Sequence, residues 1–323
     1  MSQVNYLSFT FEALKITLYC LLVTVCFFLA GASQTTLLVM FNVAVMSAAA
    51  TFSPDKKRLP AVFLGSLVIL LSIVLGGVLG FYVPFVAQCL TVIYAACAFF
   101  IPRTRAWLNI LVSGAVVFLI FSFLPFDLHT AINYLLLGVL VVVSFTVFYW
   151  LFDQQFYRQT PCQANARFSA ALLIALALIL AYALTYVLQA KTTLQHIYWV
   201  PFTTLVIAQG VQLSTITIAI KRIIVNTLGA LLIVILFTYV IPGNFWPNFF
   251  MLIIFLFCIF FFGFSYMGRT LFIELFVLGY THLLGQYHNF IAYDRIIMTF
   301  FGGLIVIIVD FGFLSFKKIQ RRV

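Results

Sequence analysis

Charge is what this chain has least of. Asp and Glu number 7 and Lys and Arg 17 among 323 residues, so that 7% of the chain is charged, where soluble domains carry roughly a quarter. With 65% hydrophobic residues and a mean hydropathy of +1.20, no water-soluble fold has enough polar surface to cover itself. The surrounding solvent must be lipid. Catalytic patterns are lacking too: no P-loop, no zincin spacing and no Ser/His/Asp arrangement can be found, which argues against an enzyme. The histidines His129, His196, His282 and His288 do not stand at ligand spacing, so neither a metal nor a cofactor is expected. The cysteines Cys20, Cys26, Cys89, Cys97, Cys162 and Cys258 include no CxxC pair, and all but Cys162 lie in apolar runs. They read as small buried hydrophobes, with no disulfide or metal framework.

What the chain has is long apolar runs. In lipid, backbone groups must be satisfied within a helix or a closed barrel. Barrel strands alternate apolar and polar over about ten residues, whereas these runs are continuous and about twenty residues long, which selects helices. Twelve spanning segments are predicted, at 12–31, 35–52, 60–79, 83–101, 107–124, 130–151, 168–188, 198–214, 222–241, 247–264, 269–285 and 291–314. Pro201 interrupts the eighth and Glu274 lies in the eleventh. The first segment resembles a signal peptide in its apolar core, but it is long, nearly uncharged and followed by many others, so it reads as a retained helix.

The placement of positive charge tests this count. With both termini in the cytoplasm, Lys15, Lys56, Lys57, Arg58, Arg103, Arg105, Arg158, Arg167, Lys221, Arg222, Arg269, Lys317, Lys318, Arg321 and Arg322 fall on the cytoplasmic side, and only Lys191 and Arg295 on the other. This is a strong positive-inside pattern. The net charge of +10 therefore serves topology and anionic headgroups and is no argument for nucleic acid.

The longest loop, 153–167, lies at the midpoint and is too short for a soluble domain. It divides the chain into a first six-helix transmembrane repeat, 1–152, a cytoplasmic linker, 153–167, and a second repeat, 168–323. Arg58, Gly65 and Leu67 share their spacing with Arg222, Gly229 and Leu231, and with Arg295, Gly302 and Leu304. The sixth segment keeps Gly138 and Leu140 but has Ala131 in place of the Arg. Because six is even, two such halves would be parallel repeats about an axis along the membrane normal. Gly65, Gly229 and Gly302 also suit close helix approach.

The stretch from Tyr198-Trp199 through Lys221-Arg222-Ile223-Ile224-Val225-Asn226-Thr227-Leu228-Gly229 resembles the fusaric acid resistance/aromatic acid exporter family. That family has Arg-Ile-x-x-Thr-x-x-Gly after a Tyr-Trp-opened helix; here Asn226 takes the Thr position. Asp294-Arg295-Ile296-Ile297-Met298-Thr299-Phe300-Phe301-Gly302 resembles the family's second Arg-x3-Thr-x2-Gly segment. The plant aluminium-activated malate channels are similar to the same six-helix unit. The resemblance implies a secondary exporter of small organic anions, aromatic acids among them, in a bacterial inner membrane, working with a periplasmic adaptor (membrane fusion) subunit. The other expected partners are the lipid bilayer, the anion itself and a second copy of the chain in a homodimer. The rival readings are a passive anion channel and a non-transporting membrane scaffold.

Ionisable residues inside a membrane are functional candidates by default. Arg295, Arg222 and Arg58 would bind the anion, because guanidinium meets a carboxylate with two parallel bonds. Arg295 could instead pair with Glu274 or Asp294. Glu274 reads either as a proton-coupling carboxylate or as a salt-bridge partner for a neighbouring Arg. Pro201 would kink its helix and free a carbonyl, and the site would lie between the halves. On this reading Arg295→Gln is expected to abolish flux of organic acids from proteoliposomes while leaving membrane abundance largely intact; normal flux from a well-expressed variant would remove Arg295 from the site.

Overall fold

The computed structural model describes residues 6–51, 59–100, 105–152, 167–192, 197–208, 215–240, 244–283 and 291–320. Among them the chain is helical throughout: α1 (Tyr6–Leu29), α2 (Gln34–Thr51), α3 (Leu59–Tyr82), α4 (Pro84–Phe100), α5 (Arg105–Ser122), α6 (Leu128–Phe152), α7 (Arg167–Lys191), α8 (Trp199–Ala208), α9 (Thr215–Ile235), α10 (Phe245–Phe261), α11 (Tyr266–Thr281) and α12 (Ile291–Gln320). A π-helical turn, Leu236–Val240, extends α9, and a 3-10 turn, Phe262–Phe264, links α10 to α11. The linker 153–166, Cys162 and Arg58 lie outside the described residues.

Local chemistry accounts for several boundaries. Gly31, with φ +75°, occupies the left-handed region after α1, where a residue with a Cβ is strained. The Ser33 hydroxyl then accepts from the Thr36 N–H at 3.2 Å to start α2. Asp127 accepts from the Thr130 N–H at 3.0 Å to start α6, and Ser265 accepts from the Gly268 N–H at 3.3 Å to start α11. Each cap satisfies one of the orphan donors at a helix start.

Six helices, α1, α3, α6, α7, α9 and α12, are long and apolar enough to cross a membrane. α2, α4, α5, α8 and α10 are apolar but contribute shorter runs. The eighth expected span differs most: α8 has 10 residues, about 15 Å at 1.5 Å per residue, and 209–214 lies outside the described residues. The outward surface is apolar as well. Leu14, Leu18, Leu22 and Val25 on α1, Leu136, Leu140, Val143 and Val147 on α6, and Phe300, Leu304, Ile308 and Phe311 on α12 are all exposed. Stripes of this length cannot face water. The protein is a multi-pass α-helical membrane protein.

Residues 22–182 form one compact unit, and residues 1–21 with 183–323 the other. The division thus falls within α1 and α7, whereas the sequence placed it at the midpoint loop. Helices of 24 and 25 residues are long enough for their two ends to have different neighbours. In the first unit α3 packs against α2, α5 and α6, α2 against α6, and α4 against α5. In the second α9 packs against α8, α11 and α12, α8 against α12, and α10 against α11. These five pairings recur, helix for helix, six helices later, whereas the first unit's packing of α2 on α5 and of α3 on α4 has no counterpart among the main pairings of the described residues.

Glycine sets the closest of these contacts. A Cβ on Gly76 of α3 would lie 2.6 Å from the Phe118 carbonyl oxygen of α5, an atom fixed in helix backbone. Gly76→Ala is therefore expected to destabilise the protein by about 1–3 kcal/mol, read as a lowered unfolding temperature in detergent. An unchanged temperature would show that α3 and α5 can separate freely.

Candidate functional site

Two helices of the second unit present the same buried face. On α9, Arg222, Val225, Asn226, Gly229 and Ile233 are buried; on α12, Arg295, Met298, Thr299, Gly302 and Val306 are. Both faces read Arg, a hydrogen-bonding residue at +4 and Gly at +7, the spacing that keeps residues on one helix face. The glycines allow close packing: a Cβ on Gly302 would lie 2.9 Å from the Val200 carbonyl oxygen and 2.9 Å from Thr203, and one on Gly229 would lie 2.9 Å from Glu274 Cγ. Gly65 makes the corresponding approach in the first unit, 2.8 Å from Ile110 Cδ1. Asn226, at the position of the motif's Thr, donates from Nδ2 to Thr299 Oγ1 at 3.3 Å. Thr227, the neighbouring residue, only donates back to the Ile223 carbonyl at 2.8 Å.

At the centre is an ion pair. Arg295 Nε donates to Glu274 Oε1 at 2.6 Å and Nη2 to Oε2 at 2.7 Å, the bidentate fork of guanidinium on carboxylate. The third nitrogen, Nη1, donates to Thr203 Oγ1 at 3.3 Å. The guanidinium carbon lies 4.1 Å from the Trp199 ring centroid and 5.2 Å from that of Phe202, within cation–π range. Arg295 and Glu274 are both 0% exposed. Of the sequence alternatives for Glu274, the salt bridge is the one present. Arg295 has all three nitrogens engaged within the protein.

Arg222 is in a different state. It is 4% exposed, its guanidinium hydrogen-bonds the Tyr266 side chain, and Arg295, Glu274 and Arg269 lie within electrostatic range. Its Nε is buried without a hydrogen-bond partner among the described residues, as is Trp199 Nε1 on α8. Glu274, the carboxylate within its electrostatic range, is already held by Arg295.

Pro201 stands at the start of α8. It is the third residue of the helix and is buried, in the first turn, where the missing N–H has no intrahelical acceptor to lose. Arg295, Glu274 and Arg222 come together within the second half, among α8, α9, α11 and α12. Thr203, Trp199 and Phe202 were not singled out as site residues from the sequence, and Asn226 and Thr299 were noted there only as motif positions. The signal that could have found the last two is the repeated Arg-x3-polar-x2-Gly face.

Thr203, Asn226, Glu274, Arg295 and Thr299 each stand 164 residues after Val39, Val62, Ile110, Ala131 and Leu135. Val39, Val62, Ile110 and Ala131 are buried.

Such a chain is in class a multi-pass membrane protein with a charged centre buried among the helices of its second half. Residues 176–309, from α7 into α12, match the family described as fusaric acid resistance protein-like. The resemblance read from the Arg-containing segments therefore holds across the stretch that contains the ion pair and Arg222. No curated protein and no solved structure matches the chain.

The ion pair changes what substitution of Arg295 should do. Arg295→Gln leaves Glu274 buried without its partner, which costs about 3–5 kcal/mol. Reduced abundance is now expected, in place of the intact abundance inferred from sequence. Glu274→Gln should act similarly, whereas Glu274→Leu combined with Arg295→Met should recover most of the lost stability, since well-packed apolar pairs replace buried ion pairs at little cost. Unfolding temperatures of the two single variants and the double variant check this; additive losses would show that the pair contributes nothing as a pair.

Proposed function

We propose that the protein is a secondary transporter that exports small organic anions, aromatic carboxylic acids foremost, across a bacterial inner membrane. The observation that carries this reading is Arg222, enclosed in the second half with its Nε lacking a hydrogen-bond partner among the described residues. Membrane proteins rarely bury a charge without a use for it. The family description supports it: fusaric acid, the compound it names, is an aromatic carboxylic acid. Arg58, 164 residues before Arg222, is the corresponding first-half candidate.

The matching helix pairings and the constant 164-residue offset support an architecture of two duplicated six-helix units. Twelve membrane-embedded helices, with both termini cytoplasmic, then follow from the positive-inside pattern. In this arrangement the first half provides a framework and the second the polar centre. A periplasmic adaptor and a homodimer are the partners such an exporter would use.

Proteoliposomes loaded with labelled organic acids, with and without an imposed proton gradient, test the reading. Gradient-dependent efflux of aromatic acids is the expected result. Flux that follows voltage alone would make the protein a channel, and no flux from correctly oriented protein would favour a scaffold.

A further inference from the structure

Three buried arrangements outside the apolar packing invite a role: the Arg295–Glu274 pair, the orphaned Trp199 Nε1, and Arg222 with Tyr266. The first is self-sufficient, because every nitrogen of Arg295 is bonded and both Glu274 oxygens accept. The second is a single neutral donor. The third is a charge with unused bonding capacity.

We infer that Arg222, and not Arg295, is the seat of the substrate's carboxylate, with the Tyr266 hydroxyl as its second contact. This rests on the transport reading above and refines it. The guanidinium is enclosed at 4% exposure, and its Nε has no partner among the described residues. A buried guanidinium with a donor left unbonded is unfavourable, and a bound anion would relieve it. Tyr266 opens α11 and is 44% exposed, so Arg222 lies directly beneath an accessible side chain. The phenol already bonded to Arg222 can present its own O–H to a carboxylate oxygen, while Nε and a terminal nitrogen form the two parallel bonds that a planar carboxylate accepts. Arg269, within electrostatic range of Arg222, adds positive potential to the same place. The closed Arg295–Glu274 pair acts as a positioning element: Glu274, already neutralised, cannot cancel the charge of Arg222.

The test uses the purified full-length protein in neutral detergent, with benzoate as probe, matched chloride as control, and phosphatidylglycerol in a separate arm. Benzoate should raise the unfolding temperature of the wild type with a saturable dose dependence. Arg222→Gln should weaken the half-saturating concentration by about tenfold or more, the loss of a charge-assisted contact. Arg222→Lys, which keeps the charge but not the fork, should fall between the two and decides the matter if the Gln variant does not fold. Tyr266→Phe should weaken binding by a smaller factor. The inference is overturned by an unchanged benzoate titration in the Lys and Gln variants, by a wild type indifferent to benzoate, or by stabilisation from phosphatidylglycerol alone, which would assign Arg222 to a lipid phosphate. Benzoate binding without proteoliposome flux would sink the export reading and leave the seat standing; flux with unaltered KM in Arg222→Gln would do the reverse.

Discussion

A chain that is 7% charged cannot conceal an ion casually, and the bidentate pair of Arg295 with Glu274 is the interaction around which its second half is organised. In the absence of water each of these ions alone would be prohibitive; together they satisfy one another and leave one nitrogen for Thr203. The pair requires α11 and α12 to face each other at one register. It also requires α8 to bring Thr203, Trp199 and Phe202 against the guanidinium. Gly229 and Gly302 leave the room in which this happens. Asn226 and Thr299, one turn beyond the two arginines, tie α9 to α12 with a bond that only two small polar side chains could make at that spacing.

Five helix pairings of the second half have counterparts in the first, where the positions 164 residues earlier carry the buried apolar residues Ile110, Ala131, Val62 and Val39. Gly65 still gives way to the residue opposite, there an isoleucine at 2.8 Å and in the second half a glutamate. Among the described residues buried charge is confined to the second half, and ions in so costly a place are best explained by what they bind or move.

Much of this was legible without coordinates. Composition required lipid, run length required helices, and scarcity alone nominated Arg295, Arg222 and Glu274 from the ionisable residues. Both possible roles of Glu274 were on the table, but choosing between them needed the partner, and Glu274 and Arg295 are 21 residues apart on different helices. Arg295 and Thr203 are 92 apart. No local periodicity encodes such a meeting. The place of Pro201 within its helix was hidden for a related reason: proline's effect depends on where the helix begins, and a hydrophobic run has no sharp start.

The sequence by itself determined the solvent, the secondary structure and the small set of residues whose burial would demand an explanation, since these follow from composition and period. Only the tertiary structure decided that Arg295 is already committed while Arg222 is not, and that the polar centre belongs to one half. The physical reason is that a buried charge is defined by its partner, and partners are chosen by packing in three dimensions, not by neighbourhood in the chain.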